Sequence, residues 1–188
     1  MKESFFHLKN ENNSAHIFYK FSEEENYIQN VTSYIVDGIE QGEHILFIEN
    51  DRLFLLIYKR LEATLKPDQL TKIQHINNFN YYFSNGSFHP PTIFNYLSKI
   101  LESYSENNIP FRIWAHVEWG EKYEVLNIIK EFENEADIAV NELQLMLVCA
   151  YDAERIPDSL EEALMKCHEH IMTNDEILPS NLYINKKI

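Results

Sequence analysis

A chain of 188 residues with a formal net charge of −14 cannot neutralise a nucleic-acid backbone, and no basic cluster does so locally. A hydrophobic fraction of 45% with 13% aromatics excludes a disordered chain and suits one domain with a substantial core. No apolar run reaches membrane-spanning length, residues 1–13 lack a secretory h-region, and Cys149 and Cys167 make no disulfide framework, so a soluble cytoplasmic protein is expected.

Residues 1–14 are polar and asparagine-rich after Phe5 and Phe6, which reads as a loosely docked arm. Residues 15–188 then read as a single domain. Ala15 to Phe21 is an apolar-aromatic strand. Ser22 with Glu25 three residues on predicts a capping box, and Ile28, Val31, Ile35 and Ile39 give the helix one apolar stripe. Gly42 suits a left-handed C-terminal cap, and His44 to Ile48 reads as a strand buried on both faces. Leu53, Leu56, Ile57 and Leu61 predict a second helix ending before Pro67, and Lys72 to Ile76 a third strand. Residues 77–91 read as irregular, with Pro90 and Pro91 opening a helix whose apolar face runs from Ile93 to Tyr104. Phe111 to Trp119 is the next strand, broken by Gly120. Val125 to Ala136 is amphipathic, Leu143 to Tyr151 is the most apolar strand, and Asp158 with Glu161 predicts a second capping box before Leu160, Leu164 and Cys167. A sixth short strand is expected near His170. The fold class is α/β: three layers, with a mostly parallel sheet of five or six strands flanked by helices.

The first strand-to-helix turn is decisive for function. Phosphate-binding α/β folds place glycines there so that backbone N–H groups wrap a phosphate. Here the turn is Lys20-Phe21-Ser22-Glu23-Glu24-Glu25, with no glycine and three carboxylates. No nucleophile elbow, zinc-protease helix, dinucleotide fingerprint or kinase signature occurs elsewhere.

These residues resemble the methanogen/methylotroph sensory domain, MEDS, found in a repressor of dichloromethane degradation and in many sensor kinases. The resemblance is carried by HIFYKFSEEENY at 16–27, Tyr82, Gly86 and Phe88, the Arg112 to Trp119 strand, Cys149-Ala150-Tyr151-Asp152, and His168. It implies a RecA-like fold of the circadian-clock type that has lost its phosphate-binding loop. The chain departs from the pattern at His116, where an acid is frequent, and at Ala15, where an aspartate is frequent. Relatives are often fused to a DNA-binding or kinase domain; this chain has no length for either, so a signal would pass through surface contacts.

Ligands of open α/β sheets bind beyond the carboxyl ends of the strands. The candidate ligand-binding residues there are Tyr19, Phe21, Glu49, His116, Glu118, Trp119, Tyr151 and Asp152. The competing reading makes the aromatics core and the carboxylates solvated caps. His116 and Glu118, two apart on a strand, could pair as acid and base; a hydrogen-bonded histidine at a strand end is the simpler account. Trp119 beside Gly120 is read as a pocket-mouth aromatic next to a hinge. Cys167-His168-Glu169-His170 is dense in ligand types, but neighbouring helix residues diverge, so no metal and no cofactor is expected.

The expected function is a non-enzymatic sensory module that binds a small, largely apolar ligand. Its partner would be a signalling protein such as a histidine kinase or a transcription regulator, with no direct nucleic acid and no membrane contact, and a homo-oligomer is compatible with it. The alternatives are a degenerate RecA-like nucleotide-binding protein or hydrolase, and a ligand-free interaction adaptor. Because Glu23, Glu24 and Glu25 replace the backbone cradle, calorimetry with Mg-ATP is expected to show no binding. Micromolar affinity would restore the nucleotide reading.

Overall fold

The computed structural model describes residues 2–11, 14–120 and 125–184. Residues 1, 12 and 13 of the expected arm and residues 121–124 and 185–188 of the expected domain lie outside them. The elements run α1 (Lys2–Glu11), β1 (Ala15–Phe21), α2 (Glu24–Glu40), β2 (His44–Glu49), α3 (Asp51–Glu62), α4 (Pro67–Leu70), β3 (Ile73–Asn77), α5 (Asn78–Tyr82) and α6 (Pro90–Glu106). They continue with β4 (Phe111–His116), α7 (Val125–Leu143), β5 (Met146–Asp152), a short 3-10 turn, α8 (Asp158–Cys167), β6 (His170–Met172) and β7 (Ile177–Pro179). The sheet has seven strands in the order β3-β2-β4-β5-β1-β6-β7, parallel throughout except for β6 with β7. The expected three-layer α/β architecture is therefore present, one strand larger than anticipated. No helix among the described residues is long and apolar enough to cross a membrane.

β1 lies between β5 and β6, with Ala15 opposite Met146 and Phe21 opposite Asp152. Alternate residues of such a strand face opposite layers. Ile17, Tyr19 and Phe21 join a core shared with α1, α2 and α3, built on Tyr27, Val31, Tyr34, Ile57 and Trp114. Phe18 joins the other core with Tyr82, Ile93, Phe132, Val140, Leu160 and Leu164 from α5 to α8.

Several local expectations change, each for a visible reason. The arm is helical and docked: Phe5 is fully buried edge-on to Tyr34, and Lys9 pairs with Glu43 at 3.1 Å. The Ser22–Glu25 box does not form. Glu23 is the N-cap of α2 with no side-chain cap, while Glu24 and Glu25 reach Arg52 and Arg60 of α3, each at 2.7 Å. The second box fails because Pro157 is the N-cap of α8 and has no capping group. Residues 78–82, expected to be irregular, form α5, capped by the Asn77 side chain accepting from the Asn80 N–H at 3.1 Å. α7 runs on to Leu143, and Gln144 at φ 53° turns the chain into β5. β4 stops at His116, three residues short of expectation.

The cap at Gly42 forms as expected. Gly42 has φ +84°, its N–H reaches the Ile39 carbonyl at 3.1 Å, and the Glu43 N–H reaches the Gly38 carbonyl at 2.9 Å. This is a Schellman closure. It delivers Glu43 to Arg112 of β4, a fully buried guanidinium that also pairs with Asp37 at 2.7 Å. Arg112 fits because residue 38 is glycine: a Cβ there would stand 2.8 Å from Arg112 Nε and 2.7 Å from Ile45 Cδ1. Alanine favours a helix over glycine by roughly 1 kcal/mol, so a stabilised Gly38→Ala protein would mean that α2 moves freely. The crowded ion pair predicts the opposite: Gly38→Ala is expected to lower urea-unfolding stability by about 1–3 kcal/mol, the usual cost of overpacking.

Candidate functional site

The strand ends carry a buried polar cluster on the α2 face. Glu49, the last residue of β2, is fully buried. Its carboxylate accepts from the Tyr27 hydroxyl, from the Asn50 N–H at 2.7 Å, and from His116 Nδ1 at 2.7 Å. Trp114 Nε1 donates to the Tyr27 hydroxyl at 2.9 Å. Phe21 packs on Tyr27 with ring centres 4.2 Å apart and meets His116 edge-on at 5.3 Å. Tyr19 is tied into the same layer, accepting from Asn30 and donating to Asn174, both at 3.0 Å. Burial works against the charged imidazole of His116, but the Glu49 carboxylate outweighs it and raises the pKa. Burial and Glu49 push the Tyr27 hydroxyl well up. His116 Nε2 has no hydrogen-bond partner among the described residues.

The remaining sequence candidates lie elsewhere. Glu118 falls past the end of β4. It accepts from Asn78 Nδ2 at 2.6 Å and lies 3.8 Å from Arg155, so it forms no acid–base pair with His116, whose partner is Glu49. Asp152 caps the 3-10 turn by accepting from the Glu154 N–H at 2.9 Å. Trp119 is 7% exposed and belongs to the opposite core, with its ring 6.0 Å from Tyr151 and the Arg155 guanidinium 5.0 Å over it. Tyr151 is fully buried there and donates to Glu133. Sheet alternation therefore separates the eight residues. Tyr19, Phe21, Glu49 and His116 form one cluster, Trp119 and Tyr151 belong to the other face, and Glu118 and Asp152 form a half-exposed rim. Gly42 and Gly86 are the glycines with positive φ among the described residues, so the Gly120 hinge expected beside Trp119 does not use the freedom peculiar to glycine.

A second polar cluster lies on the α7 face; the sequence marks His168 as a ligand type and His16 and Cys149 only as carriers of the family resemblance, and gives Glu133 no role. His16, Glu133, Cys149 and His168 are all buried, with their ligand-type atoms within 4.8 Å of one another. Burial favours neutral His16, but Asp137 and Glu133 hold its pKa up to about 9. His168 is pushed down to about 3 by burial and by His16. Burial also drives the Cys149 thiol well up. One sequence signal marked this cluster: Glu133 and Asp137, four apart, interrupt the apolar stripe formed by Phe132, Ala136 and Val140. The Cys167 to His170 run is not the helical run expected: α8 ends at Cys167, His168 is extended and His170 opens β6, with Cys167 Sγ bonded to the Leu164 carbonyl at 3.3 Å and His168 alone of the four entering the cluster.

Beside this cluster, α6 and α7 leave an apolar cavity of about 40 Å³ against the sheet. Ile113, Ala115, Leu147 and Cys149 form its floor, and Tyr81, Phe94, Phe132 and Ala139 are among its walls. None of the eight strand-end candidates lines it.

Taken together, the chain is an α/β domain whose first strand-to-helix turn holds Arg-paired carboxylates in place of a glycine cradle. It belongs to the MEDS family, the MEthanogen/methylotroph, DcmR Sensory domain, whose sequence pattern it matches over residues 15–169. It is thus a member of a sensory family. Among solved structures, it is similar to the flagellar accessory protein FlaH from Methanocaldococcus jannaschii, at 10% identity and a TM-score of 0.48, over 94% of this chain and 83% of that one. The PH0250 protein from Pyrococcus horikoshii OT3 is similar at 12% identity and a TM-score of 0.48, over 100% of this chain and 94% of that one. No curated protein matches the chain.

His116 supplies a pH test. Its folded pKa is raised, so its contribution to stability is complete below the unfolded value of about 6.5 and is lost as pH rises through the folded value. Glu49, Glu118 and Asp152 all favour its charged form. Urea unfolding of wild type and His116→Gln is expected to show a stability difference that shrinks as pH rises above 6.5. A difference independent of pH would mean that His116 is neutral in the folded protein.

Proposed function

We propose that this protein is a non-enzymatic sensory module that takes up a small apolar molecule between the sheet and the α6–α7 pair and reports it to a signalling partner. The observation that carries this reading is the cavity. Its floor and walls are aliphatic and aromatic, and such a space favours an apolar guest over water, which needs polar partners. At about 40 Å³ it suits a molecule of only a few non-hydrogen atoms. Membership of a sensory family supports the signalling role.

The proposed location lies against the middle of the sheet and the start of β5, away from the strand ends, along the α7 face. Two helices form one wall, so occupancy acts directly on their packing. A ligand shifts that packing only through different affinities for the two arrangements. The output surface belongs to the outer faces of α6 and α7, for a kinase or regulator to read. The nucleotide reading fares worse, because Glu24 and Glu25 fill the first turn and are already paired with Arg52 and Arg60.

A thermal-shift panel of short alkanes, haloalkanes and alcohols, run beside Mg-ATP, tests the proposal. At 100 times Kd a ligand adds about 2.7 kcal/mol to the native state. One or more small apolar probes should raise the Tm of wild type and leave that of Ala139→Leu unchanged, because the added side chain fills the cavity. A shift that survives in Ala139→Leu would place the ligand elsewhere, and a shift with Mg-ATP alone would favour the nucleotide alternative.

A further inference from the structure

The second polar cluster has the geometry of a closed ligand set. Four elements converge on it: His16 comes from β1, Glu133 from α7, Cys149 from β5, and His168 from the residue that follows α8. His16 Nε2 lies 3.3 Å from Glu133 Oε2, His168 Nε2 lies 3.5 Å from the same oxygen, and Cys149 Sγ lies 3.5 Å from His16 Nε2. A tetrahedral zinc site with bonds of about 2.0–2.3 Å has ligand–ligand edges of roughly 3.3–3.7 Å. These three of the six edges fall in that range, and the remaining pairs lie within 4.8 Å.

Two of the four inward atoms lack a hydrogen bond, while His16 Nε2 and Cys149 Sγ contact each other at 3.5 Å. Glu133 Oε2 and His168 Nε2 are buried with no hydrogen-bond partner among the described residues. Buried polar atoms rarely remain so. The outward atoms of the same side chains are held. His16 Nδ1 lies 3.1 Å from the Cys167 carbonyl and 3.3 Å from Asp137, His168 Nδ1 lies 2.8 Å from the Leu164 carbonyl, and Glu133 Oε1 accepts from Tyr151. Histidines that bind a metal through one ring nitrogen are oriented in this way through the other. The two imidazoles stack at 3.8 Å, which turns both Nε2 atoms toward Glu133.

We propose that His16, Glu133, Cys149 and His168 bind one divalent transition metal, of the zinc type, in a closed tetrahedral site. Two imidazoles, a thiolate and a carboxylate suit zinc among the first-row ions. The thiolate and carboxylate together neutralise the dication, so the filled site carries no net charge inside the core. With four protein ligands the site has no open position, and its role is structural. It fastens the chain that follows α8, and with it β6, to the centre of the sheet. The proposal does not depend on the ligand reading above, although Cys149 also lines the cavity.

The test uses the full chain, purified, stripped with a chelator and titrated with Co2+. The expected result is one equivalent bound, with the strong visible bands of tetrahedral Co2+ and a thiolate charge-transfer band in the near ultraviolet. Cys149→Ser should lose the charge-transfer band, whereas Cys167→Ser, a neighbouring buried thiol outside the ligand set, should keep it. Tyr151→Phe removes the outer hydrogen bond to Glu133 and should weaken Co2+ binding roughly 10–100-fold. If Cys149→Ser does not fold, His168→Gln is read in its place and should lose the tetrahedral bands. No binding, an octahedral spectrum, or a charge-transfer band that persists in Cys149→Ser would overturn the proposal and leave a metal-free His16–Glu133 pair.

Discussion

A strand buried on both faces must send alternate side chains into different layers, and this constraint organises the whole protein. β1 shows it most clearly. Tyr19 and Phe21 enter the α2 layer, while the neighbouring Phe18 and His16 enter the α7–α8 layer. β5 does the same, with Ala150 on one side and Cys149 and Tyr151 on the other. Polar groups one residue apart are therefore kept apart by the thickness of the sheet. Each layer must satisfy its own buried polar atoms from its own helices.

Neither layer meets that demand completely: among the described residues Arg112 Nη2 and His116 Nε2 on the α2 side, like Glu133 Oε2 and His168 Nε2 on the α7 side, have no hydrogen-bond partner. On the α2 side, every buried charge has a short-range partner. Arg112 is held by Asp37 and Glu43, and Glu49 by Tyr27, Asn50 and His116. A buried pair of this kind adds little net stability, but removing one partner is costly because the other is left uncompensated. Such networks fix geometry, here the approach of α2 to β2 and β4 at Gly38. On the α7 side, one carboxylate faces two imidazoles and a thiol, and some inward atoms stay unpaired.

The sensory reading and the metal reading meet at α7. One stripe of that helix gives Phe132, Ala136 and Val140 to the cavity wall, and Glu133 and Asp137 to the polar cluster.

Sequence alone determined the layer architecture, since apolar runs of strand length alternate with stripes at helical spacing and turn residues such as Gly42 and Pro90 punctuate them. It also determined the loss of the phosphate cradle, because glycine is needed at a turn that here reads Ser22-Glu23-Glu24. Tertiary structure decided which polar residues meet. Glu49 and His116 are 67 residues apart, and His16 and Cys149 are 133 apart. No local pattern encodes such pairings, because they depend on strand order and register. Sequence placed Trp119 at a pocket mouth because it ends an aromatic strand, but the chain beyond β4 folds it under Arg155 into the core. Local periodicity tells which residues are buried; only the order of the strands tells what each is buried against.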